Sequence, residues 1–177
     1  MRSADNLVEL WFRSVGGNST LLLNIPPDRR GLFHENDVAA LEEMGNTLRG
    51  LFAVNLAADA EFSAPDDGYH TASGLRTDSY AAYYKPFDGE NDPAVEIRLP
   101  EARTISILSM KEHIPMGQRI ERFALDARID GEWKEIAAGT TVGYQRLLRF
   151  EPVTADAFRI RILDARVCPV LSFVGLY

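Results

Sequence analysis

The chain has 177 residues, 46% hydrophobic and 25% charged, enough for one domain or slightly more with a substantial core. A formal net charge of −7, a pI near 5.0 and no run of Lys or Arg longer than two leave no footprint for a phosphate backbone, which argues against nucleic acid as a partner. No apolar run approaches the roughly 18 residues of a membrane span, and residues 1–6 lack the apolar stretch of a signal peptide, so neither a membrane nor an export address is expected.

Leu7, Leu10, Trp11 and Val15 recur at helical spacing, and Ser3 or Asp5 can cap the exposed N–H groups, so a first helix is expected over residues 4–14. Gly16-Gly17-Asn18 breaks it. Residues 20–25 are nearly continuously apolar, which predicts a parallel strand covered on both faces and ended by Pro26-Pro27. A second helix is predicted over residues 35–51, with Glu35 and Asp37 in its first turn and Val38, Leu41, Met44 and Leu48 as its apolar stripe. Helix, strand, loop and helix make one α/β unit. Such a unit cannot bury its strand alone, because a parallel strand needs neighbours on both sides.

Beyond residue 55 the period changes to two. Val95, Ile97 and Leu99, then Ile105, Ile107 and Met110, then Phe123, Leu125, Ala127 and Ile129 read as half-buried strands. Asp130-Gly131 before Trp133-Lys134-Glu135-Ile136 is a strong hairpin signal. Further strands are expected at 146–150, 158–163 and 170–176, all separated by turn residues, which argues for an antiparallel sandwich. Two units follow, residues 1–52 and residues 53–177. Cys168, between Val167 and Pro169, reads as a small buried hydrophobe, and Trp11 and Trp133 read as core.

Two stretches carry a family resemblance. Leu10-Trp11-Phe12-Arg13-Ser14-Val15-Gly16-Gly17-Asn18-Ser19-Thr20-Leu21-Leu22-Leu23-Asn24-Ile25-Pro26-Pro27-Asp28-Arg29-Arg30-Gly31, continuing through Leu32-Phe33-His34-Glu35-Asn36-Asp37-Val38, closely resembles the end of the catalytic barrel in the α-L-fucosidases of glycoside hydrolase family 29. Lys111-Glu112-His113-Ile114-Pro115-Met116-Gly117-Gln118-Arg119-Ile120, with residues 131–137 and Gly139-Thr140-Thr141-Val142-Gly143-Tyr144, is similar to the discoidin-like sandwich that follows the barrel in many of these enzymes. The resemblance implies a mainly β fold, an antiparallel, jelly-roll-like, galactose-binding-like sandwich preceded by an α-β-α remnant of a (β/α) barrel. It also implies a retaining hydrolase that releases terminal α-L-fucose with two carboxyls about 5–5.5 Å apart. In the family both lie upstream of the matched segment, so no catalytic residue is carried over, and the chain alone is expected to be inactive. The implied partners are fucosylated glycans and the catalytic barrel; the implied parent is secreted or periplasmic.

In a barrel the loops after the strands face the active site, so Asn24, Asp28, Arg29 and Arg30 are expected on the substrate-pocket wall. The alternative is that Pro26-Pro27-Asp28 and Gly31 only shape a loop, with Asp28 accepting backbone hydrogen bonds and the arginines solvated or ion-paired. For sugar binding by the sandwich, an aromatic platform beside polar groups is wanted, and Tyr69, His70, Tyr83, Tyr84, His113 and Arg119 are candidates, with Tyr80 and Tyr144 as further tyrosines. Packing at the core rim is the competing reading for each tyrosine, and for His113, Glu112, Gln118 and Arg119 it is a buried network holding the barrel interface. Acid pairs such as Asp66 with Asp67, or Asp88 with Glu90 and Asp92, read as solvated loops. No metal site and no required cofactor are expected. Discoidin-like sandwiches often hold a structural Ca²⁺ with an early Asp turn, here Thr77-Asp78-Ser79, and a Glu on the final strand; residues 171–177 contain no acid. A stand-alone carbohydrate-binding module without catalysis is the rival to the fucosidase reading.

Overall fold

The computed structural model describes residues 2–177; Met1, the first residue of the expected N-terminal unit, lies outside them. Helix α1 spans Ala4–Ser14 and α2 spans Glu35–Leu51, both where the periodicity places them. The Ser3 hydroxyl caps α1 by accepting from Asn6 N–H at 3.3 Å, and the His34 ring caps α2 by accepting from Asn36 N–H at 3.2 Å. Six strands follow: β1 Glu61–Ser63, β2 Ala94–Glu112, β3 Ile120–Ile129, β4 Glu132–Thr140, β5 Arg146–Ala165 and β6 Leu171–Leu176. They form one antiparallel sheet in the order β1-β2-β5-β3-β4, with β6 on β2. No helix among the described residues is long and apolar enough to cross a membrane.

Four expected strands are two. The 19-residue β2 absorbs the runs around Val95 and Ile105, and the 20-residue β5 absorbs 146–150 and 158–163. Pro100 falls where the β2–β5 register breaks between Arg98 and Arg103, and Pro152 lies opposite the break between Ile105 and Ile107. A proline cannot donate to a ladder, but inside a bulge no ladder bond is asked of it, so residues that read as breaks mark a bend. At one end of the β2–β5 ribbon, β1, β3 and β4 complete a five-stranded layer. At the other end β6 flanks β2. Val95, Ile97, Phe123, Leu125 and Ile160 from the first end share one core with Leu108, Met110, Val174 and Leu176 from the second. The hairpin turn is as expected: Asp130 and Gly131 have φ of 55° and 84°, the paired left-handed conformation of a two-residue type I′ turn.

The strand expected at residues 20–25 is not formed. This stretch lies outside every helix and strand, with Leu21 and Leu23 turned toward the helices and Leu22 92% exposed. Its sequence suits a two-faced strand, but no neighbouring strand among the described residues offers it a ladder. The helices instead cover the outside of the bent sheet. Leu7, Val8 and Phe12 of α1 with Ala40 and Met44 of α2 pack on Ile107 and Leu147, the β2 and β5 side chains opposite to the main core. Trp11 joins this second cluster with Phe52, as expected of a core residue; Val38, expected on the packed stripe of α2, is exposed instead. Trp133 departs from expectation too, being half-buried under the Arg159 guanidinium, 4.6 Å from the ring centroid.

Candidate functional site

The loop after residue 25 is braced by its own side chains. Asp28 accepts from Arg30 N–H at 2.7 Å and Leu32 N–H at 3.4 Å, and its second oxygen accepts from Arg30 Nε at 2.7 Å. Arg30 also reaches Glu35 at 2.7 Å. These hydrogen bonds hold the Asp28 carboxyl below its ordinary range, the Arg30 guanidinium contributing most. Asp28 and Arg30 are thus paired within the loop. A cavity of about 500 Å³ opens between this loop and the two helices, lined by Leu7, Leu23, Asn24, Ile25, His34 and Ala40 among others. Of the loop's polar residues, Asn24 lines this cavity. Asp28, Arg29 and Arg30 lie outside its lining.

On the sandwich, three of the six sugar-binding candidates form one stack. Tyr83 lies between His70 and His113, with centroids 4.2 Å apart on each side and interplanar angles of 16° and 24°. Tyr80 meets the far edge of His113 at 5.5 Å. The Asp67 carboxyl accepts from Tyr69 N–H and His70 N–H and holds the His70 ring at 2.7 Å; these contacts, the ring bond foremost, keep it well below the usual carboxylate range. Tyr84, next in sequence to Tyr83, points the opposite way. It is fully buried, bridges to Leu171, and its hydroxyl donates to Pro65 O at 2.8 Å, so it offers no surface to a sugar. Tyr69 is 88% exposed and outside the stack.

Glu112 and Arg119 are braces. Glu112 is fully buried; one carboxyl oxygen accepts from Arg119 N–H at 2.6 Å and Ile120 N–H at 2.9 Å, and the other from Gly143 N–H at 2.6 Å. Arg119 donates to Cys168 O at 2.7 Å, and Cys168 is buried as its neighbours predict. Asp78, the acid of the candidate calcium turn, is instead paired with Lys111 Nζ at 2.6 Å. Among the described residues no group of three or more His, Cys, Asp or Glu is arranged to hold a metal ion.

Two arrangements lie beyond what the sequence pattern shows. Asn18, which looked like a helix breaker, has φ of 65° and ties the helical unit to the sheet: its Oδ1 accepts from Tyr144 N–H at 2.8 Å and its Nδ2 donates to Gln118 at 3.2 Å. The only hint was Asn in a Gly-Gly-Asn turn, where a left-handed conformation is common. Asp126 is 2% exposed and takes both Arg159 and Arg161 across β3 and β5. Burial disfavours its charge, but the two guanidinium groups outweigh that and keep the carboxyl below its ordinary range. Period-two patterning alone does not show which polar position is covered.

His113 yields a testable pH dependence. It is 7% exposed, its Nδ1 has no hydrogen-bond partner among the described residues, and burial, aided by the His70 charge, lowers its pKa from the ordinary 6.5. The unfolded chain therefore takes up a proton at His113 before the folded chain does. Stability present above pH 6.5 is lost as the pH falls below it toward the depressed folded value. Urea unfolding from pH 7.5 down to 5.5 should show falling midpoints in the parent and a flatter profile in His113→Phe; equal slopes would contradict the assignment.

Known proteins resemble this chain over nearly its whole length. No protein-family model matches the chain. Alpha-L-fucosidase 1 of Arabidopsis thaliana is 32% identical over 184 residues, covering 99% of this chain and 36% of the relative. The crystal structure of SpGH29 superposes with a TM-score of 0.94 at 33% identity, over 99% of this chain and 39% of that one. This chain is homologous to the α-L-fucosidases of glycoside hydrolase family 29, in their C-terminal part. A Ruminococcus gnavus family 29 fucosidase, solved with fucose, aligns over 99% of this chain and 37% of its own, with a TM-score of 0.89 at 28% identity. The chain thus spans about a third of the length of the curated fucosidases it matches. The likeness to SpGH29 takes in both helices and the whole sheet, since it covers 99% of this chain.

Proposed function

We propose that this chain acts as the C-terminal portion of a retaining α-L-fucosidase, in which residues 2–52 close the edge of the catalytic barrel and residues 53–177 form an accessory, carbohydrate-associated sandwich. The observation that carries the proposal is the segment 20–25. It has the sequence of a two-faced parallel strand, lacks a ladder, and leaves Leu22 in water. Leu32 and Phe33, which follow it in the chain, are also more than half exposed. A run of this kind is completed by neighbouring strands, which a barrel supplies. In that assembly Asn24 sits on the loop at the active-site end, and Asp28 and Arg30 keep that loop in shape.

Both catalytic carboxyls belong to the barrel in this reading, so the chain by itself should release no product from an aryl α-L-fucoside. Co-expression with a family 29 barrel segment should give a complex that hydrolyses the fucoside and in which the amides of residues 20–25 exchange at least tenfold more slowly than in the isolated chain. Activity of the isolated chain that disappears on changing one of its own carboxylates would refute the reading. So would a barrel that neither binds the chain nor protects that segment.

A further inference from the structure

Two depressions meet at the Asp78–Lys111 ion pair, on the side of the sandwich next to the helices. One, of about 200 Å³, is lined by Asp78, Ser79, Tyr80, Lys111 and Tyr144. The other, of about 280 Å³, shares Asp78 and Lys111 and runs inward past Gln145, Phe173 and Tyr177 to Trp11. Tyr80 and Tyr144 are 46% and 58% exposed at the mouth, while the Lys111 side chain is only 14% exposed. Three separate chain segments converge here: the loop before Tyr80, the end of β2, and the β4–β5 turn.

From this cleft we infer a binding site for one neutral pyranose unit of a glycan. The pair at its centre carries one charge of each sign, so the site has no net charge to favour an ionic ligand. Lys111 Nζ spends one bond on Asp78 Oδ2 at 2.6 Å. Two ammonium N–H groups and Asp78 Oδ1 are left for a ligand, a donor and an acceptor set side by side as two adjacent sugar hydroxyls require. The Lys111 ammonium lies over one face of the Tyr144 ring, 5.4 Å from its centroid, so the uncovered part of that exposed ring, together with Tyr80, is the aromatic surface left for the C–H face of a sugar. Tyr80 forms part of the same wall and is steadied from behind by its edge contact with His113. The cleft is built before any ligand arrives: Asn18 fixes Tyr144 N–H, and Gln145 Nε2 donates to Ser109 Oγ at 2.9 Å. Such preorganisation lowers the ordering cost of binding. The site differs from the His70–Tyr83–His113 stack, whose middle ring has both faces covered.

The inference rests on reading the sandwich as carbohydrate-associated, and needs no catalytic barrel. The 177-residue chain should be titrated with L-fucose, D-galactose and D-glucose and followed by amide chemical shifts. At least one sugar should bind saturably, with shifts centred on residues 78–80, 111 and 144. Tyr80→Ala and Tyr144→Ala should each weaken that binding about tenfold. Lys111→Met should abolish it, and Tyr80→Phe and Tyr69→Ala should leave it unchanged. Both tyrosines are substantially exposed, so their alanine variants are expected to fold, and a matching unfolding midpoint verifies that. Saturable binding that ignores Tyr80 and Tyr144 but is lost on Tyr69→Ala or His70→Ala would overturn the cleft and leave the carbohydrate reading standing. No saturable binding of any of the three sugars would overturn the cleft as well, while fucoside hydrolysis by the barrel complex would still decide the fucosidase reading separately.

Discussion

Replacing Glu112 by alanine is expected to remove about 3–5 kcal/mol of folding stability, a large share of the roughly 5–15 kcal/mol that holds a domain together. The loss does not come from apolar packing. Three backbone N–H groups, of Arg119, Ile120 and Gly143, converge on this one buried side chain, and alanine would leave all three without that acceptor, those of Ile120 and Gly143 in buried surroundings. The same carboxyl ties the end of β2 to the start of β3 and to the turn before β5, so its removal loosens three connections at once. Glutamine separates acceptor chemistry from shape. It keeps one oxygen for Arg119 and Ile120 but turns an NH₂ toward Gly143 N–H, donor against donor. Glu112→Gln should therefore cost more than about 2 kcal/mol despite being isosteric. Urea unfolding at pH 7 measures both variants. A glutamine variant as stable as the parent would show that the three-way bridge contributes nothing.

Gly143→Ala is expected to cost about 2–4 kcal/mol, for two reasons that can be separated. Its φ of 63° is unfavourable for a residue with a Cβ, and that Cβ would lie 2.2 Å from Asn18 Nδ2. Alanine must therefore push Asn18 aside, breaking its bonds to Tyr144 and Gln118. Asn18→Ala alone should cost about 1–2 kcal/mol, from the same two bonds and from a left-handed conformation that asparagine tolerates better. In the double variant the steric conflict is gone, and the combined loss should fall short of the sum by about 1 kcal/mol. Strict additivity, measured by denaturant titration of the four proteins, would mean that Asn18 does not dock at Gly143.

Much of this architecture is legible in the sequence because it rests on local chemistry. Ser3 caps α1 as its side-chain oxygen predicts, α2 begins with its two acids, and Asp130-Gly131 turns the hairpin. What the sequence hides depends on the partner. Residues 20–25 have the composition of a strand but no strand beside them, and Pro100 and Pro152 look like interruptions until the β2–β5 register shows them facing bulges. At the sandwich surface, Tyr83 and Tyr84 are indistinguishable by composition. Only the extended backbone that turns one outward and the other into the core separates them. The cleft between Tyr80 and Tyr144 joins residues more than sixty positions apart in the numbering, with Lys111 arriving from a third segment, so no local window contains it.

The β2–β5 ribbon faces two ways. Leu108 and Met110 point into the sandwich, while Ile107 and Leu147 point into the helical layer. The two layers therefore share a wall instead of being joined by a tether. A change of curvature in that wall, whether imposed from the helical layer or from the core of the sandwich, alters the packing of both cores together. The border near residue 52 separates two patterns of amino acids, yet side chains from both sides of it rest on the same ribbon.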